Sequence, residues 1–312
     1  MTATHVPVTG TQYEISAGDY RATITELGAG LRELLHDSSP LIAAYDPDEL
    51  PPHGAGQLLA PWPNRVDGGR YSFRGAEYQL DLSEPPRRNA IHGLTRWAPW
   101  PLVTRGDDSV LLRSVPHGQQ GYPFCVEVDA EYRLDATSGL HVTITARNRG
   151  TRPAPWGTGS HPYLKLGAPS VDECELTLPA GKWLPVDDRG IPSGAPEDVA
   201  GTEFDFRKPR AIGATRLDHA FTGLDRDDAG RAWVHCASNG TRTGLWADAG
   251  YRWLQVFTSD PLEPEFRRRV LAVEPMTCPP NAFVTGTDLV VLEPGDSVTQ
   301  RWGIRIFQPN ER

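Results

Sequence analysis

The feature that most constrains this 312-residue chain is a pair of period-two runs joined by a short polar break. Phe124, Val126, Val128, Ala130, Tyr132 and Leu134 alternate with mostly polar neighbours. Residues 135–139 interrupt the pattern, and Leu140, Val142, Ile144 and Ala146 resume it. Successive side chains of a strand point to opposite faces, so each set occupies one face of one strand. The pair predicts a long antiparallel hairpin packed on one side. Shorter patterns of the same kind recur. Residues 20–24 alternate until Gly28, Ala29 and Gly30 break the run. Residues 70–73 and 77–80 flank Arg74-Gly75 as a tight hairpin. Residues 252–259 place Trp253 and Phe257 in another strand, and residues 289–292 and 302–307 form strands around the turn Pro294-Gly295-Asp296.

Composition supports many strands and turns. The 31 glycines and 29 prolines make up nearly one residue in five, and both are poor in helix interiors. No helix longer than a turn or two is expected. Neither a repeat of fixed period nor a low-complexity linker divides the chain, and the proline-rich residues 185–209 read as a surface loop. The expected fold is all-β: one large single-domain antiparallel β-sandwich spanning residues 1–312.

A net charge of −9 argues against nucleic acid and against an anionic membrane, both of which need a basic face. Cys125, Cys174, Cys236 and Cys278 form no CxxC pair, so they are expected to be reduced thiols of a cytoplasmic protein. The first residues carry no leader pattern, and no apolar stretch approaches a membrane span.

Five segments embed titratable groups among proline, glycine and apolar residues. They are PWPNR with Arg65, NAIHGL with His92, GSHPYL with His161, LDHAF with Asp218, and AVEPMTCPPN with Glu274. Such surroundings shift pKa values and make acid/base groups usable near neutral pH. Glu274 follows the apolar run Val270, Leu271, Ala272 and Val273, where a carboxylate costs free energy unless paired. Arg65, His92 and His161 also suit packed loops, and Asp218 beside His219 also suits an exposed turn.

Taken in order, these five motifs resemble the aldose 1-epimerase (galactose mutarotase) family from about residue 12 to residue 307. The resemblance implies a galactose mutarotase-like supersandwich, an open cleft for a monosaccharide, no cofactor and no metal. It implies a monomer or a homodimer. It assigns Glu274 as base and His161 as acid, with His92 stabilising charge near the ring oxygen. Arg65 and Asp218 would bind sugar hydroxyls, and Gln255 would border the cleft. Ser160 and Leu164 depart from the residues common in galactose-active members and are expected at the cleft wall. In the ring-opening direction Glu274 is expected ionised and His161 protonated, with Asp218 or another nearby carboxylate supporting the imidazolium. Trp62 and Trp97, near Arg65 and His92 in sequence, are potential aromatic faces for a pyranose.

Three other readings share these residues. A non-catalytic carbohydrate-binding protein would use the same sandwich but has no need of two histidines and a buried glutamate together. A metal-dependent β-barrel enzyme would use His92, His161 and a carboxylate, yet the compact HxH arrangement is missing. An epimerase of an anionic sugar, such as a hexose 6-phosphate or a sulfonated hexose, needs cations, for which Arg87, Arg88, Arg267, Arg268 and Arg269 are available.

Overall fold

A computed structural model describes residues 5–238 and 240–307. The long hairpin forms where the alternation places it. Val126–Asp135 pairs with Gly139–Asn148, with Leu134 opposite Leu140 and Asp135 opposite Gly139. The turn is closed by the Asp135 carboxylate, which accepts the backbone N–H groups of Thr137 at 2.9 Å and Ser138 at 2.7 Å. Gly139 takes φ 78°, and a Cβ there would fall on the Ile304 carbonyl of the neighbouring strand. The short hairpin Arg70–Phe73 and Ala76–Gln79 likewise turns at Arg74 and Gly75, both with positive φ, as a two-residue hairpin loop requires.

These strands join a nine-stranded sheet. Its order runs Leu102–Arg105, Ser109–Ser114, Val126–Asp135, Gly139–Asn148, Ser297–Phe307, Thr241–Ala247, Ala232–Ser238, Glu175–Thr177 and Arg210–Ala211. An eight-stranded sheet runs Glu197–Asp198, Ala180–Trp183, Asp218–Leu224, Trp253–Phe257, Leu271–Met276, Gly159–Ser160 and Leu58–Leu59, with Tyr163–Leu164 also paired to Leu271–Met276. Val128, Ile144, Leu245 and Ile304 of the first sheet share one apolar core with Phe221, Leu254, Val256 and Val273 of the second. The result is the expected antiparallel sandwich. The strands Gln12–Ala17, Tyr20–Thr25, Leu31–His36 and Ser39–Pro40 add a smaller antiparallel sheet whose Ile15, Ile24 and Leu34 enter the same core.

The outward face of the long hairpin is not simply solvated. Glu127 and Asp129 are buried there under arginines. Arg113 holds both oxygens of Asp129 at 2.6 and 3.0 Å, Arg147 reaches Asp129 at 2.6 Å, and Arg149 reaches Glu127 at 2.8 Å. Burial works to raise the Asp129 pKa, but hydrogen bonds and charge from Arg113 and Arg147 outweigh it and hold it below the usual carboxylate range.

Two expectations change. Val290–Leu292 does not pair with the last strand across Pro294-Gly295-Asp296. It pairs with Ala154–Trp156, while Ser297–Phe307 inserts between Gly139–Asn148 and Thr241–Ala247. Local alternation marks a strand but not its partner. Residues 185–209 are more than a surface loop, because Val199 and Phe206 are fully buried and Glu197–Asp198 extends the eight-stranded sheet. His53, outside the five motifs, lies at the cleft described below. The helical content is as slight as expected, with Ala282–Thr285 the single α-helix among the described residues.

Period two predicts the energetic asymmetry of the hairpin. Ile144→Ala should lower unfolding free energy by about 2–5 kcal/mol, the usual range for emptying a packed aliphatic site. Thr143→Ala, on the opposite face, should cost less than about 1 kcal/mol. Urea unfolding of both variants checks this, and equal losses would contradict the facing described here.

Candidate active site

The eight-stranded sheet sets out the floor of the site by register. Gln255 of Trp253–Phe257 lies directly opposite Glu274 of Leu271–Met276. Asp218, first residue of Asp218–Leu224, lies opposite Phe257. Directly opposed residues share a face, and so do residues two apart, so Asp218, Gln255 and Glu274 all project from one side. Gln255 donates from Nε2 to Asp218 Oδ1 at 2.8 Å.

His161 arrives from the adjoining segment. Gly159–Ser160 and Tyr163–Leu164 both pair with the strand that carries Glu274, and His161 sits in the link between them. Its backbone N–H donates to Gln57 and its carbonyl accepts from Gly56. The imidazole Nε2 then stands 3.4 Å from Glu274 Oε1.

His92 and Arg65 come from facing loops and a two-stranded ribbon, in which Arg65–Asp67 pairs with Asn89–Ile91. His92 has φ 63°, and Gly93 follows at φ 70° so close to Ala60 that a Cβ would overlap its carbonyl. This bend turns the His92 ring to within 5.3 Å of the His161 ring, edge to face. His92 Nδ1 accepts the Asn64 backbone N–H at 3.3 Å, so a neutral ring carries its proton on Nε2. Arg65 is held in a fork by Glu84, Nε to Oε2 at 2.8 Å and Nη2 to Oε1 at 3.0 Å. Asn281, the last residue of the CPPN run, donates its backbone N–H to the Arg65 carbonyl at 2.6 Å and accepts from Asp67 at 3.0 Å.

All six residues singled out from the sequence, Arg65, His92, His161, Asp218, Gln255 and Glu274, line one cleft of about 360 Å³. That size is in the range of small-molecule pockets. The sequence reading missed Glu84, Asn64, Arg96, Tyr163 and His53, which line the same cleft. Most of these stand within a few residues of the motifs already noted, and that adjacency was the available signal. His53 had none: it reaches the rim by bonding Glu263, 210 positions away, at 2.8 Å.

Other expectations fail. Trp62 is buried against Phe283 and Trp97 projects outward, and neither lines the cleft. Ser160 and Leu164 are buried and do not line it either. Of the arginines considered for anions, Arg87 lines the cleft, whereas Arg88, Arg267, Arg268 and Arg269 do not. Arg268 is bound by Asp172 and Asp260. His219, beside Asp218, packs against Trp183 and Phe204. Among the described residues, no group of three or more His, Cys, Asp or Glu side chains is arranged to hold a metal ion.

The electrostatics of the pair also differ from the expected charged state. Burial raises the Glu274 pKa well above the usual carboxylate value; Asp218 adds to the rise and Arg65 opposes it. Burial lowers His161 to about 3, with Arg96, His53 and Arg65 contributing. Burial likewise pushes His92 far below an ordinary histidine, helped by His161, Arg96 and Arg65. Asp218 therefore acts on Glu274 rather than holding His161 charged. Burial thus pushes the two partners in opposite directions, Glu274 toward holding its proton and His161 toward losing its own. Glu274 Oε2, Gln255 Oε1 and His161 Nδ1 are buried without a hydrogen-bond partner among the described residues. Unpaired buried polar atoms are costly, and their concentration in this cleft marks it as a place for a hydrogen-bonding ligand.

Residues 11–305 match the family profile for aldose 1-epimerase, and the chain belongs to that family. The uncharacterized protein YihR of Escherichia coli is 38% identical, covering 95% of this chain and 93% of its own length. Human galactose mutarotase is 30% identical over a stretch covering 66% of this chain and 60% of that protein. Among solved structures, the GalM/aldose epimerase homologue of C. elegans aligns with a TM-score of 0.86 at 22% identity, covering 96% of this chain and 99% of that one. Galactose 1-epimerase of Lactobacillus acidophilus aligns at 0.80 and 21% identity, covering 97% of each chain. These two share the fold. Among the described residues no helix is long and apolar enough to cross a membrane.

The bend at His92 depends on Gly93. Gly93→Ala should cost about 1–3 kcal/mol, the scale of a strained left-handed residue. It should also move the His92 ring away from His161. Thermal unfolding together with the His92 imidazole chemical shifts tests both parts, and a variant with unchanged stability and shifts would contradict the close approach.

Proposed function

We propose that this protein interconverts the α and β anomers of an aldose without a cofactor, using Glu274 and His161 as a proton-exchanging pair. The observation that carries the reading is the 3.4 Å approach of His161 Nε2 to Glu274 Oε1 on the floor of a cleft otherwise lined by sugar-binding groups. Anomer exchange requires one group to take the C1 hydroxyl proton and another to give a proton to the ring oxygen. The C1–O5 bond breaks, the open-chain aldehyde forms, rotation about C1–C2 exposes the other carbonyl face, and O5 closes on it as both protons return. No electrons are transferred.

One shared proton suffices for this cycle. In ring opening Glu274 accepts the C1 hydroxyl proton and His161 donates to O5, which leaves Glu274 protonated and His161 neutral. That is the arrangement burial favours, so the cleft favours the protonation state that accompanies the aldehyde. His92, with Nε2–H available, donates toward the charge developing on the ring oxygen. Arg65 in its Glu84 fork and Asp218 held by Gln255 present fixed donors and acceptors to sugar hydroxyls. A purely binding protein gains nothing from burying an acid/base pair at proton-exchange distance, which disfavours that reading.

Glu274→Gln and His161→Asn should each lower kcat at least about 100-fold while retaining the fold, the scale expected for a positioned general acid or base. Polarimetry of freshly dissolved α-D-glucose or α-D-galactose measures the rate, and near-normal turnover in either variant removes that residue from the mechanism.

The shared proton also sets the pH profile. On the acid side activity is lost when the pair gains a second proton on His161, which burial places near 3. On the alkaline side it is lost when the pair gives up its one proton from Glu274. The kcat/KM profile should therefore show no inflection near 6.5, where an ordinary histidine titrates, and should fall at high pH. A limb centred at an ordinary histidine value, absent in His161→Asn, would overturn the assignment.

A further inference from the structure

Arg96 is a charged cleft residue that the mechanism does not use. It follows the IHGLT segment, is half-buried, and lines the same cleft as His92 and His161. Among the described residues no hydrogen bond or ion pair engages its guanidinium; the Trp97 ring, 5.1 Å from Cζ to its centroid, is the neighbour on record. The other buried arginines of this region differ, since Arg65 is forked by Glu84 and Arg268 is bound by Asp172 and Asp260. Burial lowers the Arg96 pKa and distant Glu84 only partly opposes this, so the cation sits where it costs free energy.

Its position follows from its neighbours: it stands four residues after His92, and its carbonyl accepts from Gln57 Nε2 at 2.7 Å while the Gln57 carbonyl accepts the His161 backbone N–H at 3.1 Å. With His161 serving the ring oxygen, Arg96 lies on the O5 side of a bound pyranose. C5 is bonded to O5 and carries C6, so the C6 substituent extends toward Arg96. The local charge balance agrees. Of the three arginines in the lining, Arg65 and Arg87 are both paired with Glu84, at 2.8 and 3.9 Å. That leaves Arg96 without an acidic partner among the described residues. A neutral hydroxymethyl group offers this fork one weak acceptor. A carboxylate, sulfonate or phosphate offers several charged oxygens in matching geometry.

We propose that Arg96 is a specificity-determining residue that selects aldoses carrying an anionic group on C6. This rests on the mutarotase reading of the site and names its substrate class. The test compares anomer exchange, by NMR line shape or polarimetry, for glucose, glucuronate, glucose 6-phosphate and 6-deoxy-6-sulfoglucose, with wild type, Arg96→Met and Arg96→Lys. At least one anionic sugar should exceed glucose in wild-type kcat/KM by about tenfold or more. Arg96→Met should reduce that ratio about tenfold, Arg96→Lys should restore part of it, and added salt should shrink it. The three anionic arms distinguish the planar carboxylate from the tetrahedral groups. A wild-type enzyme that turns over glucose as well as every anionic sugar overturns the proposal and leaves the mutarotase reading standing. So does a ratio unchanged in Arg96→Met. A wild-type protein that accelerates none of these sugars overturns both.

Discussion

The site depends on one costly placement: a carboxyl group in the interior of a β-sheet, within reach of a buried imidazole. Glu274 lies in a strand that pairs on one side with Trp253–Phe257 and on the other with the short segments around His161. In that environment neither an isolated carboxylate nor an isolated imidazolium is stable. The opposite directions of their shifts, Glu274 up and His161 down, express that conflict. Everything else in the cleft is arranged around that constraint. Arg65 approaches with Glu84 already bound to it, and Asp218 is kept 2.8 Å from Gln255.

Rigidity on the other wall comes from backbone geometry. His92 and Gly93 both adopt positive φ, and the Asn64 N–H fixes one ring nitrogen of His92. Asn281 ties the segment bearing Arg65 to the loop after the Glu274 strand. A catalytic constellation held by strand register and by backbone hydrogen bonds needs little reorganisation when substrate enters. The same logic accounts for the unpartnered atoms of Glu274, Gln255 and His161, whose missing hydrogen bonds are those a sugar would provide.

Much of the fold was legible because its causes are local. The hairpin around residues 135–139 follows from period two and from an aspartate that can close its own turn. The six cleft residues were legible for a different reason: titratable groups set among proline, glycine and apolar residues in five ordered motifs. What failed was whatever depends on distant partners. The strand Val290–Leu292 pairs with Ala154–Trp156, which no alternation could indicate. Trp62 and Trp97 are close to the site in sequence but face away from it, and Arg268 is consumed by Asp172 and Asp260.

The sequence by itself determined that the chain is an antiparallel β protein and marked six side chains that gather in one cleft, since strand periodicity and residue type are properties of short segments. Only the tertiary structure decided the protonation of those side chains and the company they keep. Burial is a sum over neighbours from many segments, and it raises the Glu274 pKa while lowering that of His161. It also left Arg96 in the cleft without an acceptor among the described residues while giving Arg65 the carboxylate of Glu84. Those outcomes depend on which strands meet, and that is settled by the packing of two sheets into one core rather than by any run of residues.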